Sequence, residues 1–341
     1  MPQNSSAQTS GDAELIVHIN QNITDEKYKS VIVAKITKDQ TIIQSFGALS
    51  NDINELADKN TFFEISSNSK SFLGTLAALM IDKGEIALKD PINNYLPDGV
   101  KMASFEDQDV TILDLLTHAA GLPMMPADYD VNDEVNPYKN YNRGDLWKSV
   151  NAFVPTRKSG DKWEYSTFGT SILAEALAHS KGMTYFELLS EYILNPLGMS
   201  DTHVTLNVDQ QRRLAQGHNV DGTKTDDLIS QGALSAGSFM ISTTNDMIKY
   251  IKAHMGLSNL LSYEALKLAH KIYRSDYMAG LMWEKDKGSK NVFNFGTANG
   301  YRAFIGFNDD ASTGTVVLTN IRYGTIDIGK RVLDPDFNLA K

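Results

Sequence analysis

No cysteine occurs in this sequence. Its absence removes disulfides, thiol nucleophiles, iron–sulfur clusters and thiolate zinc sites together, and leaves the redox compartment open. No stretch reaches the roughly 18 apolar residues of a membrane-spanning helix. The longest apolar run, 72–81, is broken by Gly74 and Thr75 and reads as a core helix. The first eleven residues are small and polar, without the charged start and apolar middle of a signal peptide. Residues 1–11 therefore read as a disordered tail. Two compartments stay open: the cytoplasm, or export with the native signal replaced by Met1. Surplus positive charge is missing as well, with a formal net charge of -10 and a pI of about 5.2. Such a surface repels phosphate backbones and anionic headgroups, which argues against nucleic acid and membrane partners. The seven histidines form neither a His-Glu-x-x-His pattern nor a closely spaced pair. No metal and no cofactor is expected. His179 and His270 read as surface or capping residues.

What the chain has is apolar material, 42% of 341 residues, enough for one large domain or two joined ones. Leu15, Ile16, Ile19 and Ile23 predict a helix over 13–23. Strands follow at 31–36 and 41–46, with a turn at Lys38, Asp39 and Gln40. A helix starts at Ser66 or Ser67, buries Phe72, Leu73, Leu76, Ala77 and Met80, and ends at Lys83-Gly84. From 88 to 197 the chain reads as helix and loop, with helical pieces at 112–117, 171–179 and 185–193. Strand signals return at 292–295, 301–307 and 315–318, and a last helix is expected over 326–333. Strands at both ends and helices between them allow one sheet, covered by helices on its faces.

Ser67-Asn68-Ser69-Lys70 is a Ser-x-x-Lys tetrapeptide at the start of a helix. Positions i and i+3 lie one turn apart on one face, so the amine can reach the hydroxyl. The helix N-terminus favours developing negative charge on Ser67. A lysine acting as base needs its pKa moved from ~10.4 toward ~7–8. The tetrapeptide alone is weak evidence, because chance supplies about two in a chain this long. A second one, Ser159-Gly160-Asp161-Lys162, sits in a polar loop without a helix. The plain alternative for Ser67 is a helix cap.

Tyr165-Ser166-Thr167 precedes the apolar helix of Ile172, Leu173, Ala176 and Leu177. A phenol beside a lysine can be pushed toward phenolate and relay a proton. Asn294-Phe295-Gly296-Thr297 lies on an expected strand before Asn299-Gly300. A glycine there lets the strand run close to a substrate, and its N–H groups can join that of Ser67 in an oxyanion hole. Read alone, these are a half-buried aromatic and a strand ending in a turn.

In this order the three elements resemble the serine β-lactamase and penicillin-binding-protein superfamily, with class C β-lactamases, D-alanyl-D-alanine peptidases and family-VIII carboxylesterases nearest. Ile65-Ser66-Ser67-Asn68-Ser69-Lys70-Ser71-Phe72 is similar to the family's I-G-S-x-[ST]-K-x-F. Leu115-Leu116-Thr117-His118-Ala119-Ala120-Gly121-Leu122-Pro123 resembles L-L-T-H-T-S-G-L-P. Pro196-Leu197-Gly198-Met199-Ser200-Asp201-Thr202 resembles P-L-G-M-x-D-T, and Ser242-Thr243-Thr244-Asn245-Asp246-Met247 resembles S-T-x-x-D-M. The likeness spans roughly residues 13 to 335.

The resemblance implies an α+β fold: an antiparallel sheet flanked by helices (12–85 and 198–341) with an inserted all-helical domain (86–197), and the site in the cleft between. It implies a serine hydrolase working through an acyl-enzyme on a small ester, amide or peptide. Ser67 is the expected nucleophile, Lys70 and Tyr165 the proton-handling pair. The backbones of Ser67 and Thr297 would form the oxyanion hole, with Asn294, Gly296 and Thr167 lining the substrate site. His118 belongs to the structural loop. The resemblance favours a periplasmic or secreted protein, monomeric or weakly homo-oligomeric.

Two departures stand out. Thr167 replaces the asparagine of Tyr-x-Asn, while a literal Tyr138-Lys139-Asn140 lies in a polar loop. Asn294 replaces the lysine or histidine that opens the third motif. That lysine normally helps bind a substrate carboxylate, so uncharged esters and amides gain ground; Arg302 is a candidate replacement cation. The acidic stretch 124–147, with Tyr129, Tyr138 and Tyr141, is expected to border the cleft and set substrate choice. Two rivals remain. One is a Ser-His-Asp hydrolase built on Ala233-Leu234-Ser235-Ala236-Gly237, which lacks the first glycine of the usual elbow. The other is a relative that binds or senses a ligand without efficient turnover.

Overall fold

The computed structural model describes residues 10–49, 55–129, 140–225, 232–237, 239–277, 279–298 and 300–339. Its centre is a six-stranded antiparallel sheet in the order β2-β1-β8-β7-β6-β5. The strands are β1 (Ser30–Ile36), β2 (Thr41–Gly47), β5 (Glu284–Lys285), β6 (Asn291–Ala298), β7 (Tyr301–Asn308) and β8 (Gly314–Thr319). A second, two-stranded sheet joins β3 (Phe62–Glu64) to β4 (Ile241–Thr243). The central strands β1 and β8 are β-branched runs buried on both faces, so each needs a covering layer.

Two helical layers supply it. On one face lie α1 (Ser10–Thr24) and α11 (Thr325–Leu333), whose Leu15, Ile19, Ile328 and Val332 pack on Val31, Phe304 and Val317. On the other lie α2 (Ser69–Asp82), α9 (Thr244–His254) and α10 (Tyr263–His270). Between β3 and β4 the described residues form helices, turns and loops: α3 (Ile112–Leu116), α4 (Arg143–Ala152), α5 (Thr167–Ser180), α6 (Tyr185–Leu189), α7 (Asn195–Leu197) and α8 (Val208–Gln211). The α2 stripe is fully buried between this layer and the sheet. Phe72 stacks on Tyr250 at 4.1 Å between ring centroids, and burying one such ring stabilises by about 2–3 kcal/mol. Among the described residues no helix is long and apolar enough to cross a membrane.

The expected elements recur, several with shifted bounds. Residues 1–9 of the expected tail lie outside the described residues, and α1 already begins at Ser10. Residues 66–68 form a 3-10 turn before α2 starts. The stretch 124–147 is not all loop, because Asn142 caps α4 through a reciprocal bond with Asp145. Its residues 130–139, with Tyr138 and Lys139, lie outside the described residues. Tyr141 is buried and bonded to Asp128 and Ser149, so it anchors α4. His270 is also not a simple surface residue. Its Nε2 lies 2.6 Å from Nδ1 of buried His254, against Trp283 and Phe307.

Candidate active site

The 3-10 turn at 66–68 lifts Ser67 off the end of α2 while Lys70 stays on its first turn. Lys70 Nζ donates to Ser67 Oγ at 3.4 Å, and Lys70 is only 2% exposed. From the helical layer, Tyr165 brings its phenol to 2.9 Å from the same hydroxyl. The Lys70 ammonium lies 5.1 Å from the Tyr165 ring centroid. The Ser67 hydroxyl is therefore not a helix cap; its partners are the lysine and the phenol.

Burial by itself pushes the Tyr165 phenol up. The charge of Lys70 and hydrogen bonds from Lys70 and Ser67 outweigh that, so the phenol sits below its ordinary value; Glu284 opposes them. A cation beside an acid stabilises its ionised form. The arrangement can pass a proton between Ser67 and Tyr165.

Tyr165 is held from behind. Its ring packs on His118 at 4.6 Å between centroids, and the Ser166 N–H donates to His118 Nδ1 at 3.2 Å. Burial first, and the Lys70 charge second, push His118 down to about 3. His118 is thus a neutral acceptor that fixes the turn carrying the phenol. Ser166 caps α5 by accepting from Gly169 N–H at 2.8 Å and donates to Pro123 O at 2.6 Å. Thr167 is the first residue of α5, buried, with its N–H on Met124 O at 3.0 Å.

The third wall is the edge of β6. β5 pairs with β6 only at Val292 and Phe293, so the edge beyond is open to the cleft. Thr297 O accepts from Ser66 Oγ at 2.8 Å. In an antiparallel strand the N–H and C=O of one residue emerge on the same side, so the Thr297 N–H faces the Ser66-Ser67 turn too. Gly296 makes this approach possible. A Cβ there would stand 2.2 Å from Ile65 O and 2.9 Å from the Ser67 nitrogen.

A cavity of about 310 Å³ opens beside Ser67, Lys70 and Tyr165, lined also by His118, Trp163, Trp283, Glu284, Asn294, Phe295 and Thr297. Asn294 turns its amide nitrogen to Met282 O at 2.9 Å, and its Oδ1 has no partner among the described residues. Arg302 does not reach this cavity. It is paired opposite Thr297, and it lines a separate cavity of about 210 Å³ with Tyr28, Tyr323 and Asp327 on the α1/α11 side. The described residues of 124–147 line no part of the Ser67 cavity, nor does Thr167. Ser159 sits in a loop, its Oγ on Asp109 O. Ser235 ends a 3-10 turn, its Oγ on Gly232 O; no strand–serine–helix elbow is formed. Trp163 and Glu284 carried no signal in the sequence, since neither belongs to a motif or a periodic run.

With this geometry in view, comparison with known proteins gives a direct answer. A family model described as Beta-lactamase matches residues 15–334. The chain belongs to the beta-lactamase family. It is 30% identical over 259 residues to a beta-lactamase of Pseudomonas fluorescens, covering 74% of this chain and 68% of that one. It is 26% identical over 257 residues to the D-alanyl-D-alanine-carboxypeptidase/endopeptidase AmpH of Escherichia coli K12, covering 70% of this chain and 65% of AmpH. A class C beta-lactamase structure superposes with a TM-score of 0.83 at 22% identity, covering 100% of both chains. A Beta-Lactamase/D-Alanine Carboxypeptidase from Pseudomonas syringae gives 0.81 at 20% identity, covering 95% of this chain and 99% of the other. The chain spans 65% of the length of AmpH, just under two thirds of that relative.

Proposed function

We propose that Ser67 is acylated by a small ester or amide and that water then releases the acyl group. In the first step Ser67 Oγ bonds to the substrate carbonyl carbon while its proton passes to the Tyr165 phenolate, which becomes the phenol. The carbonyl oxygen becomes an oxyanion facing the N–H groups of Ser67 and Thr297, a stabilisation worth about 3–4 kcal/mol per donor in such sites. The bond to the leaving group then breaks, and Tyr165 returns the proton to the departing alcohol or amine. Water repeats the sequence on the acyl-enzyme and regenerates Ser67. Lys70 supplies the adjacent positive charge.

The observation that carries this reading is the 2.9 Å contact between Ser67 Oγ and a phenol made more acidic by Lys70. Neutral Asn294, where the resemblance leads one to expect a cation, favours substrates without a carboxylate. The relatives' names put a β-lactam and a D-alanyl peptide beside simple esters on the test panel. We expect short p-nitrophenyl esters to be cleaved faster than a chromogenic cephalosporin or a D-alanyl peptide, and Ser67→Ala to abolish each activity. A fluorophosphonate should add to the wild type and not to Ser67→Ala, read by intact mass. Turnover that survives Ser67→Ala would overturn the assignment. No turnover and no adduct would favour the binding-module reading.

A further inference from the structure

The cleft holds few charges. Among the described lining residues the side chains ionisable as cation or carboxylate are Lys70, His118 and Glu284; Lys70 is tied to Ser67, and burial keeps His118 neutral. Glu284 is the first residue of β5, opposite Phe293, where pairing along β6 stops. It makes no ion pair among the described residues, and its neighbour Lys330 is bonded to Asp286 at 2.9 Å. Partial burial pushes its carboxyl above the ordinary value; Lys330 counteracts and Asp286 adds to this. Its charge also reaches Tyr165, whose phenol it pushes up. On the same wall, next to the Phe293 that pairs with Glu284, Asn294 presents a buried acceptor, its Oδ1, with no partner among the described residues. Trp163, stacked on Tyr277 at 5.7 Å between centroids, adds an indole wall. Acceptor, carboxylate and aromatic face form an environment that attracts cations and repels anions.

We propose that this cleft selects its substrates by charge, favouring acyl esters or amides that carry an ammonium group and rejecting those that carry a carboxylate. The inference rests on the acyl-transfer reading above and names its substrate class. Glu284 is the specificity-determining residue, Trp163 the surface on which the ammonium lies, and Asn294 the site that offers no counter-charge to a carboxylate. The chemistry at Ser67 is unchanged; the charge on the acyl chain alters only how well the substrate is held against the nucleophile.

The test uses three p-nitrophenyl esters of similar size that differ in charge: 4-(trimethylammonio)butanoate, 5,5-dimethylhexanoate and hydrogen glutarate. The quaternary ammonium cannot attack its own ester. On the wild type, kcat/KM should favour the cationic over the neutral ester by roughly five- to tenfold, about 1 kcal/mol for a partly exposed charge on a carboxylate and an indole. The anionic ester should rank last, and the cationic preference should shrink with added salt. In Glu284→Gln the cationic-to-neutral ratio should fall toward one, and in Glu284→Lys the order should invert. Because each ratio is taken within one variant, loss of folded protein cancels, as does any change in the reactivity of Tyr165. Hydrolysis of all three esters without charge preference, or a preference unchanged in Glu284→Gln, overturns this proposal alone. A wild type that cleaves none, or cleavage that persists in Ser67→Ala, overturns the acyl-transfer reading and this one with it.

Discussion

Ser66 and Thr297 are joined across the cleft, the Ser66 hydroxyl donating to the Thr297 carbonyl at 2.8 Å. Ser66 holds φ at 48°, the left-handed region that a serine adopts at a cost. The family pattern has glycine at this position. Here serine accepts about 1 kcal/mol of backbone strain and gains a bond that ties the nucleophile turn to the β6 edge. Both expected oxyanion donors belong to the residues so joined or to their neighbours.

Replacement of Ser66 separates the two effects. Ser66→Ala keeps the strain and loses the bond. It should lower kcat by about tenfold, the effect of a small misplacement of oxyanion donors, and lower the Tm by about 2 °C. Ser66→Gly relieves the strain, so the Tm should stay near wild type while kcat still falls. Ester kinetics and thermal melts check both. Wild-type kcat in Ser66→Ala would show that the bond does not position the site.

At Gly296 the constraint is contact, not φ. Gly296→Ala would force a methyl onto Ile65 O and the Ser67 nitrogen. Because the obstacles are backbone atoms, β6 or the 66–68 turn must move. Overpacking of this kind costs about 1–3 kcal/mol, yet the loss of activity should be larger, at least a hundredfold in kcat/KM, because the nucleophile itself shifts. Urea midpoints and ester kinetics measured together decide this. A variant destabilised but fully active would refute it.

Tyr165→Phe removes one oxygen and leaves the packing on His118 intact. Acylation should fall by about 10²–10⁴-fold, the usual contribution of a general base, with the Tm little changed. In the wild type the phenol is held below its ordinary value of 10. The rate should therefore rise with pH and level off before 10, since the phenolate accepts the Ser67 proton. Pre-steady-state acylation across pH, monitored by p-nitrophenol release, tests both claims. A rate independent of pH between 6 and 10 would point to another base.

The sequence was most informative where chemistry depends on local spacing. Ser67 and Lys70 are three residues apart, so one helical turn brings them together wherever the helix lies. Gly296 was visible because a glycine on an expected strand implies close approach. Arg302 was misassigned for a specific reason. Which face of β7 it occupies depends on the β6–β7 register, which pairs it with Thr297, and register is a tertiary property. Glu284 lies on a two-residue strand, too short for any period to show. His254 and His270 sit on different helices, and only the packing of α9 against α10 turns two isolated histidines into a pair.

That pair gives the last prediction. His254 is pushed well below its ordinary value by burial and then by His270; His270 is held at about 3, by burial and then by Lys285. Both are neutral in the fold, and Thr75 Oγ1 lies 3.1 Å from His254 Nε2 on the side facing α2. A histidine whose pKa is lower in the folded state binds protons preferentially when unfolded. Its contribution is fully present above about pH 6.5 and is lost as pH falls from there toward 3. At pH 5.5 each group costs about 1 kcal/mol of stability. Buried Glu64 acts with the opposite sign. Burial raises its carboxyl well above the ordinary value, so its contribution is lost as pH rises. The informative quantity is therefore the difference between proteins. From pH 7.5 to 5.5, wild type should lose about 1–2 kcal/mol more than His270→Gln, whose amide cannot titrate, in urea unfolding at the two pH values. Equal losses would mean that this histidine pair is not kept neutral by the fold.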